Sequence, residues 1–399
     1  MKLFHTADWH LGKLVQGVYM TGDQRYVLDQ LLQAIKDEKP DAVIVAGDLY
    51  DRAVPPTEAV HLLDDVLSKI VLDLETPVLA VAGNHDSPSR LNFGTTIMKQ
   101  HGLHIAGTFT GIPDPVSLND EHGPVHFHLM PYCDPSIVRT NLEDESIRTH
   151  NDATARVVND LQAQMDPNAR HVYVGHAFVT PYGEEEENTS DSERPLSIGG
   201  AEYVASRLFA PFDYTALGHL HHAHHVAHET VRYSGSILKY SISEENQSKG
   251  FSIVELDADG QVSIDKRTFI PEREMRTVEA TMDNLLMHPV NDDYVFVRLL
   301  DQAPVLSPME RIRSVYPNAM HVERKNDGFS AVTADQQPSV NRSDMSTVDL
   351  FRSFYKEVKG TDAGEETEAI FKEALDDLLQ TEDDTGIVGH SNERLTEQT

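Results

Sequence analysis

The sequence predicts an α/β protein of four layers, two sheets face to face between helices (αββα), followed by a small αβ cap and C-terminal helices. Three observations carry this. Five short apolar, β-branched runs (1–6, 42–46, 78–82, 171–174 and 214–217) read as buried strands. Helical patterns separate the first three, which implies a mostly parallel sheet. After His101 the runs shorten and crowd together, which points to a second sheet with antiparallel parts.

Taken in order, residues 21–38 form a helix, with Tyr26, Leu28, Leu31, Leu32 and Ile35 at near-helical spacing. A strand follows at 41–46, then a helix at 57–72 with Thr57 placed to cap it, then the strand at 78–82. The runs 125–130, 171–174, 230–233, 250–256 and 262–268 supply the second sheet and its edges. Asp257-Ala258-Asp259-Gly260 is a hairpin turn between the last two. Residues 1–270 thus make one domain. From Pro271 the runs 276–280, 294–300, 308–315 and 320–324 read as strand, strand, helix, strand, a cap over 271–335. Residues 327–342 are polar and read as a linker. Two amphipathic helices within 345–380 (347–358 and 366–379) have too little neighbouring sequence to bury their apolar faces alone. They either pack back on the main domain or dock on a partner. Residues 381–399 read as a disordered acidic tail.

Composition limits the function classes. At 399 residues the chain exceeds one typical domain, and 39% hydrophobic residues supply a core. A single cysteine, Cys133, excludes an internal disulfide and fits a reducing cytoplasm; it reads as a small buried residue rather than a nucleophile. No leader-like start and no apolar run near the roughly 20 residues of a membrane span is present, so a cytoplasmic, membrane-free protein is expected. Against 33 basic residues stand 65 acidic ones, a net charge of −32 that repels nucleic acid and argues against tight DNA binding by this chain alone. The acidic runs at 184–187 and from 362 onward read as solvated loop and tail.

Chemistry-bearing residues follow the five apolar runs: Asp8-Trp9-His10, Gly47-Asp48, Gly83-Asn84-His85-Asp86, Gly175-His176 and Gly218-His219-Leu220-His221. Strand C-termini of an open α/β sheet converge on one crevice, so five loops would deliver these side chains to one point. Asp8 and His10 flank one residue, which puts both on one side of an extended segment. Taken singly, that pair suits an ordinary surface and His176 suits a satisfied core position. Asn84 is more specific, because a neutral amide oxygen is an uncommon ligand. Together, hard oxygens mixed with imidazoles suit Mn²⁺, Fe²⁺ or Zn²⁺, and one shared carboxylate can bridge two ions. The pattern points to a dinuclear metal site acting on phosphoesters. His222, His224, His225 and His228 read as loop residues, and the absence of a P-loop puts ATP hydrolysis elsewhere.

The ordered motifs D-x-H, G-D, G-N-H-D, G-H and G-H-x-H resemble those of the calcineurin-like metallophosphoesterase superfamily. More narrowly, Gly47-Asp48-Leu49-Tyr50-Asp51-Arg52-Ala53-Val54-Pro55-Pro56, Ser190-Asp191-Ser192-Glu193-Arg194-Pro195-Leu196 and Tyr233-Ser234-Gly235-Ser236 are similar to the SbcD-type nuclease subunits of the double-strand-break repair nuclease family. The resemblance runs from residue 1 to about 325, more loosely beyond. It implies that Asp8, His10, Asp48 and His221 hold a first metal ion, that Asp48 bridges, and that Asn84, His176 and His219 complete the second; the ions would be Mn²⁺. It makes His85 a non-ligand that stabilises the scissile phosphate or protonates the leaving 3′-oxygen, with Asp86 orienting its ring.

The implied activity is ATP-linked 3′→5′ exonuclease on double-stranded DNA and endonuclease on single strands and hairpins, in DNA repair, recombination and replication. The implied partner is SbcC, a coiled-coil ATPase docked on 345–380. Two copies of this chain would pair through the helices near 57–72 and 89–101, within a heterotetramer that grips DNA and so accommodates the −32 charge. Asp51 stands where some relatives carry a histidine, so no role of that histidine transfers. Two other readings are a phosphoesterase for small phosphoesters or phosphoproteins, and a non-catalytic scaffold; the complete ligand set speaks against the scaffold.

Overall fold

Alternation along the strands decides the layering. In the computed structural model, which describes residues 1–184, 191, 193, 202–324 and a few positions between 348 and 375, Ala42, Ile44 and Ala46 face one apolar cluster while Val43 and Val45 face another. The first sheet runs, in spatial order, Val262–Thr268, Gly250–Leu256, Lys2–Thr6, Ala42–Ala46, Val78–Val81, Leu103–Ala106; the last four are parallel and the first two antiparallel. The second runs His224–Val226, His228–Tyr233, Tyr214–Gly218, Arg170–His176, Gly123–Met130, Val116–Asp120, with the four inner strands parallel.

Between the sheets, Leu3, Ile44, Leu79 and Val81 meet Phe127, Val172, Val174 and Ala216. Outside the first sheet, helices Thr21–Glu38 and Thr57–Ser68 bury Leu28, Leu31, Leu62 and Val66. Outside the second, helix His150–Gln162 covers Tyr173 and Leu217 with Val157 and Leu161. The four-layer αββα expectation holds, and two helical details change. Thr57 is the first helical residue and Pro56 occupies the cap position; the helix ends at Ser68 in a π-helical turn, Lys69–Asp73. The segment 89–101 is broken at Gly94 (φ +75°) into Pro88–Leu91, Thr95–Met98 and a 3₁₀ turn, Lys99–His101.

A third, all-parallel sheet joins Met275–Ala280, Tyr294–Leu299 and His321–Arg324 over its own core of Val278, Leu285, Val295, Val297 and Ile312. Polar contacts fasten it to the larger body: Tyr294 Oη donates to Asp23 (2.7 Å), Arg273 pairs with Asp23 (3.0 Å), and Thr277 N donates to Glu245 (2.7 Å). All three sheets belong to one compact unit, Met1–Arg324. In the second unit, Lys325–Thr399, Phe351 stacks flat on Phe371 (centroids 3.9 Å apart) and Arg352 makes two 2.7 Å bonds to Glu368, so the described helical residues pair with each other. The linker at 327–342, the boundary at 335, the tail 381–399 and most of the stretches 190–196 and 345–380 lie outside the described residues. No helix among the described residues is long and apolar enough to cross a membrane.

Candidate metal centre

The backbone around the candidate ligands is bent where an extended chain was expected. The strand Lys2–Thr6 ends before Asp8, and both Asp8 (φ 52°) and His10 (φ 45°) take left-handed conformations. This turn lies along the Gly47-Asp48 loop, through Asp8 N→Gly47 O (3.1 Å) and His10 N→Asp48 O (2.9 Å). Asp8 and His10 therefore converge because the chain curls. Gln24 holds the turn by donating to the carbonyls of Trp9 (3.1 Å) and His10 (2.8 Å), and the Tyr240 hydroxyl donates to Trp9 O (2.5 Å). Asp48 (φ 50°) and His219 (φ 112°) are also left-handed, so four of the ten non-glycine residues with positive φ among those described are candidate ligands. Such conformations cost roughly 1–3 kcal/mol each and concentrate at functional sites.

The side chains meet where the strand ends of both sheets face each other. Asp48 Oδ2 lies 3.5 Å from His10 Nε2 and 3.5 Å from His176 Nε2, equidistant between two imidazoles. His10 Nε2 is 3.0 Å from His221 Nε2, and His176 Nε2 is 2.9 Å from Asn84 Oδ1. Asp8 accepts from His219 N (3.0 Å) and lies 4.0 Å from His176 Nδ1; the His219 ring is edge-on to His176 at 5.4 Å. Ligand atoms of Asp8, His10 and His221 fall within 4.8 Å of one another, as do those of Asp8, Asp48 and His176. All but Asn84 are buried.

Tautomers test whether this set fits cations. His176 Nδ1 faces the carbonyl of Ala46 (3.0 Å) and His221 Nδ1 faces the carboxylate of Glu244 (3.0 Å). Both partners only accept, so each Nδ1 carries the proton and each Nε2 presents a lone pair. His176 Nε2 faces two acceptors, Asn84 Oδ1 (2.9 Å) and Asp48 Oδ2 (3.5 Å), while His221 Nε2 meets His10 Nε2 (3.0 Å). Opposed lone pairs in a buried site are what a cation resolves. Electrostatics agree. Burial, then the charge of Asp48, raises Asp8 well above the usual carboxylate range; burial raises Asp48 to about 6. Burial lowers His176 to about 4 and drives His10 and His219 well below the usual imidazole value. The residues fit divalent ions.

The structure relocates one sequence assignment and adds others. Asp86 does not orient the His85 ring: its carboxylate accepts from the backbone N–H groups of Leu49 (3.1 Å), Tyr50 (2.9 Å) and Gly83 (2.9 Å), clamping the two ligand loops together. The His85 ring is set by the carbonyl of Asp51, 2.7 Å from Nδ1, and His85 N donates to Asp48 Oδ1 (2.9 Å). Asp51 itself lies 3.9 Å from His10 Nδ1 and pairs with Lys13 (3.0 Å). Sequence reasoning missed Glu244, Lys249 and Glu193. Glu193 accepts from His221 N (2.6 Å), and Lys249 pairs with Glu244 (2.6 Å). Glu244 and Lys249 occupy a stretch that reads as a polar surface turn; only the fold shows them buried.

The sequence profile of the calcineurin-like phosphoesterase family matches residues 1–223, and the SbcD C-terminal profile, described as the type 5 capsule protein repressor C-terminal domain, matches residues 271–359. Among solved structures, the chain is similar to GAP50, the anchor in the inner membrane complex of Plasmodium (13% identity, TM-score 0.38, 83% of this chain and 98% of that one). It is also similar to a dimetal phosphatase from Danio rerio (12% identity, TM-score 0.38, 68% and 97%). With a family profile over more than half of its length and an Asp/His cluster at the meeting strand ends, the chain belongs to the calcineurin-like phosphoesterases, hydrolases whose cluster takes divalent metal ions.

Proposed function

We propose that the chain is a Mn²⁺-dependent DNA phosphodiesterase, the SbcD-type nuclease subunit of an SbcCD-type complex. The observation that carries the reading is the joint match: a phosphoesterase profile over 1–223 and an SbcD C-terminal profile over 271–359 in one chain. In this reading Asp8, His10, Asp48 and His221 hold one ion, and Asp48, Asn84, His176 and His219 the other. The equidistance of Asp48 Oδ2 from His10 and His176 supports its bridging place. Two such ions, when bound, polarise the phosphodiester and supply a nucleophile near neutral pH.

The chain's own groups do the rest. The Asp51 carbonyl, 2.7 Å from Nδ1, orients the His85 ring, which as an imidazolium hydrogen-bonds the scissile phosphate or delivers a proton to the leaving 3′-oxygen. Asp86 keeps the loops carrying Asp48 and His85 in register. Residues 1–270 form the nuclease domain and 271–335 the cap that positions duplex DNA, while 345–380 docks on SbcC, which supplies ATP hydrolysis. Two copies pair through the face of helix Thr57–Ser68 and the segment 88–101, where Leu72, Phe93 and Ile97 are exposed around a groove of about 390 Å³.

The test is cleavage of end-labelled duplex and hairpin DNA with Mn²⁺, Mg²⁺ or chelator, with and without SbcC and ATP. Mn²⁺-dependent cleavage stimulated by SbcC is expected, and His85→Ala should lower turnover by about 10²–10⁴-fold while leaving Mn²⁺ binding intact. No DNA cleavage in any condition, alongside hydrolysis of a small phosphoester, would replace the nuclease reading with a general phosphoesterase.

A further inference from the structure

The two second-sheet imidazoles His176 and His221, the first beside Asp48 and the second beside His10, are backed differently. His176 Nδ1 rests on a main-chain carbonyl, Ala46 O at 3.0 Å. His221 Nδ1 rests on a carboxylate, Glu244 Oε1 at 3.0 Å. Glu244 is fully buried and sits on the 3₁₀ turn Ile242–Glu244. Its other oxygen pairs with Lys249 at 2.6 Å and accepts weakly from Tyr240 N at 3.3 Å. Lys249 is itself buried and returns to the same histidine, donating to His221 O at 2.9 Å. Ring and main chain of His221 are thus held by one ion pair.

A buried carboxylate needs partners, and His221, Lys249 and the Tyr240 amide are among those Glu244 has. The lysine balances the charge, so the carboxylate can stay ionised in an apolar setting and still polarise the imidazole. A histidine backed by a carboxylate is a more basic ligand, and better oriented, than one backed by a carbonyl. We infer that Glu244, balanced by Lys249, is a positioning residue for His221, and that it makes the position formed by Asp8, His10 and His221 the tighter of the two metal positions. The inference rests on the dinuclear reading above.

The test is titration of the full chain with Mn²⁺, following the free-ion six-line electron paramagnetic resonance signal, which resolves stepwise binding. Wild type should take up two ions in two steps of unequal affinity. In Glu244→Gln the tighter step should weaken by about 10- to 100-fold with the other unchanged. That variant leaves Lys249 buried without its counter-charge and risks the fold, so Glu244→Leu/Lys249→Met replaces the pair by apolar side chains of similar volume, a change that buried pairs often tolerate. Its melting in chelator checks folding, and the same selective loss is expected. A folded double variant with both steps as in wild type would overturn the inference, as would equal weakening of both. A measurement on wild type needs no variant: in the ¹⁵N-histidine-labelled chain loaded with Zn²⁺, His221 should be protonated at Nδ1 with a strongly downfield N–H proton, and protonation at Nε2 would overturn it. Wild type that binds one ion or none would instead overturn the dinuclear reading itself.

Discussion

The first sheet brings every oxygen ligand to the site and one imidazole ligand, and the second brings imidazoles alone. Loops after Lys2–Thr6, Ala42–Ala46 and Val78–Val81 carry Asp8, Asp48 and Asn84, together with His10 and His85. The ends of Arg170–His176 and Tyr214–Gly218 carry only imidazoles, His176, His219 and His221. The two contributions are also cross-linked, since His176 reaches the Ala46 carbonyl of the opposite sheet and His219 N reaches Asp8. The difference teaches that neither half makes a site alone. The centre reads out how the sheets pack, and changes at their interface should reach the chemistry.

The largest effect should come from Asp48, whose Oδ2 lies 3.5 Å from an imidazole of each sheet. Asp48→Ala should reduce phosphodiester turnover by at least on the order of 10³-fold with the fold intact, measured by steady-state cleavage beside circular dichroism. Turnover within tenfold of wild type would break the comparison. Next, the layer between the sheets can be loosened away from the ligands. Phe127 is fully buried there, and Phe127→Ala should cost about 3–5 kcal/mol of stability by denaturant unfolding, with weaker Mn²⁺ binding as the strand ends shift. Unchanged metal affinity at that loss would separate the site from the packing.

Gly47 sharpens the point on one residue. Its φ of +94° suits glycine, and a Cβ there would collide with the His176 ring. Gly47→Ala should cost about 1–3 kcal/mol and displace His176 rather than His221, so one metal step should weaken and the other persist. The smallest expected effect concerns pH. His5 on the first sheet and His128 on the second are buried and neutral, lowered by burial to about 3 and about 4. Unfolded histidine titrates near 6.5, so as pH falls below that value the unfolded chain gains protons that the folded chain refuses, and stability declines until about pH 4 through His128 and about pH 3 through His5. His128→Gln keeps a donor for His171 and removes one such group. The stability difference in chelator should therefore move in the variant's favour between pH 6.5 and 4; a constant difference would contradict this.

The parts of this molecule that repeat were readable in its sequence. Strands such as Gly250–Leu256 and Val262–Thr268 and the helix Thr21–Glu38 follow from apolar period and turn residues, because burial on one face leaves a pattern. The candidate ligands were readable because loops after buried strands must point at the crevice. Backbone shape was not: the left-handed turns at Asp8 and His10 depend on hydrogen bonds to Gly47 and Asp48, some forty residues away in the chain. Nor were the supporting partners. Ser241-Ile242-Ser243-Glu244-Glu245-Asn246-Gln247-Ser248-Lys249 looks like a solvated turn, yet Glu244 and Lys249 are buried against His221. A buried ion pair leaves no periodic trace. Asp86 misled in the opposite way, since the family resemblance implied a contact with the His85 ring while the turn aims its carboxylate at three amides.

Metal stoichiometry of wild type and Asp48→Ala, read by elemental analysis after equilibration with Mn²⁺ and desalting, tests the central claim most directly. A carboxylate shared between two ions predicts two Mn²⁺ per wild-type chain and fewer than one in Asp48→Ala. Two ions retained in the variant, or only one in wild type, would contradict a dinuclear centre bridged by Asp48.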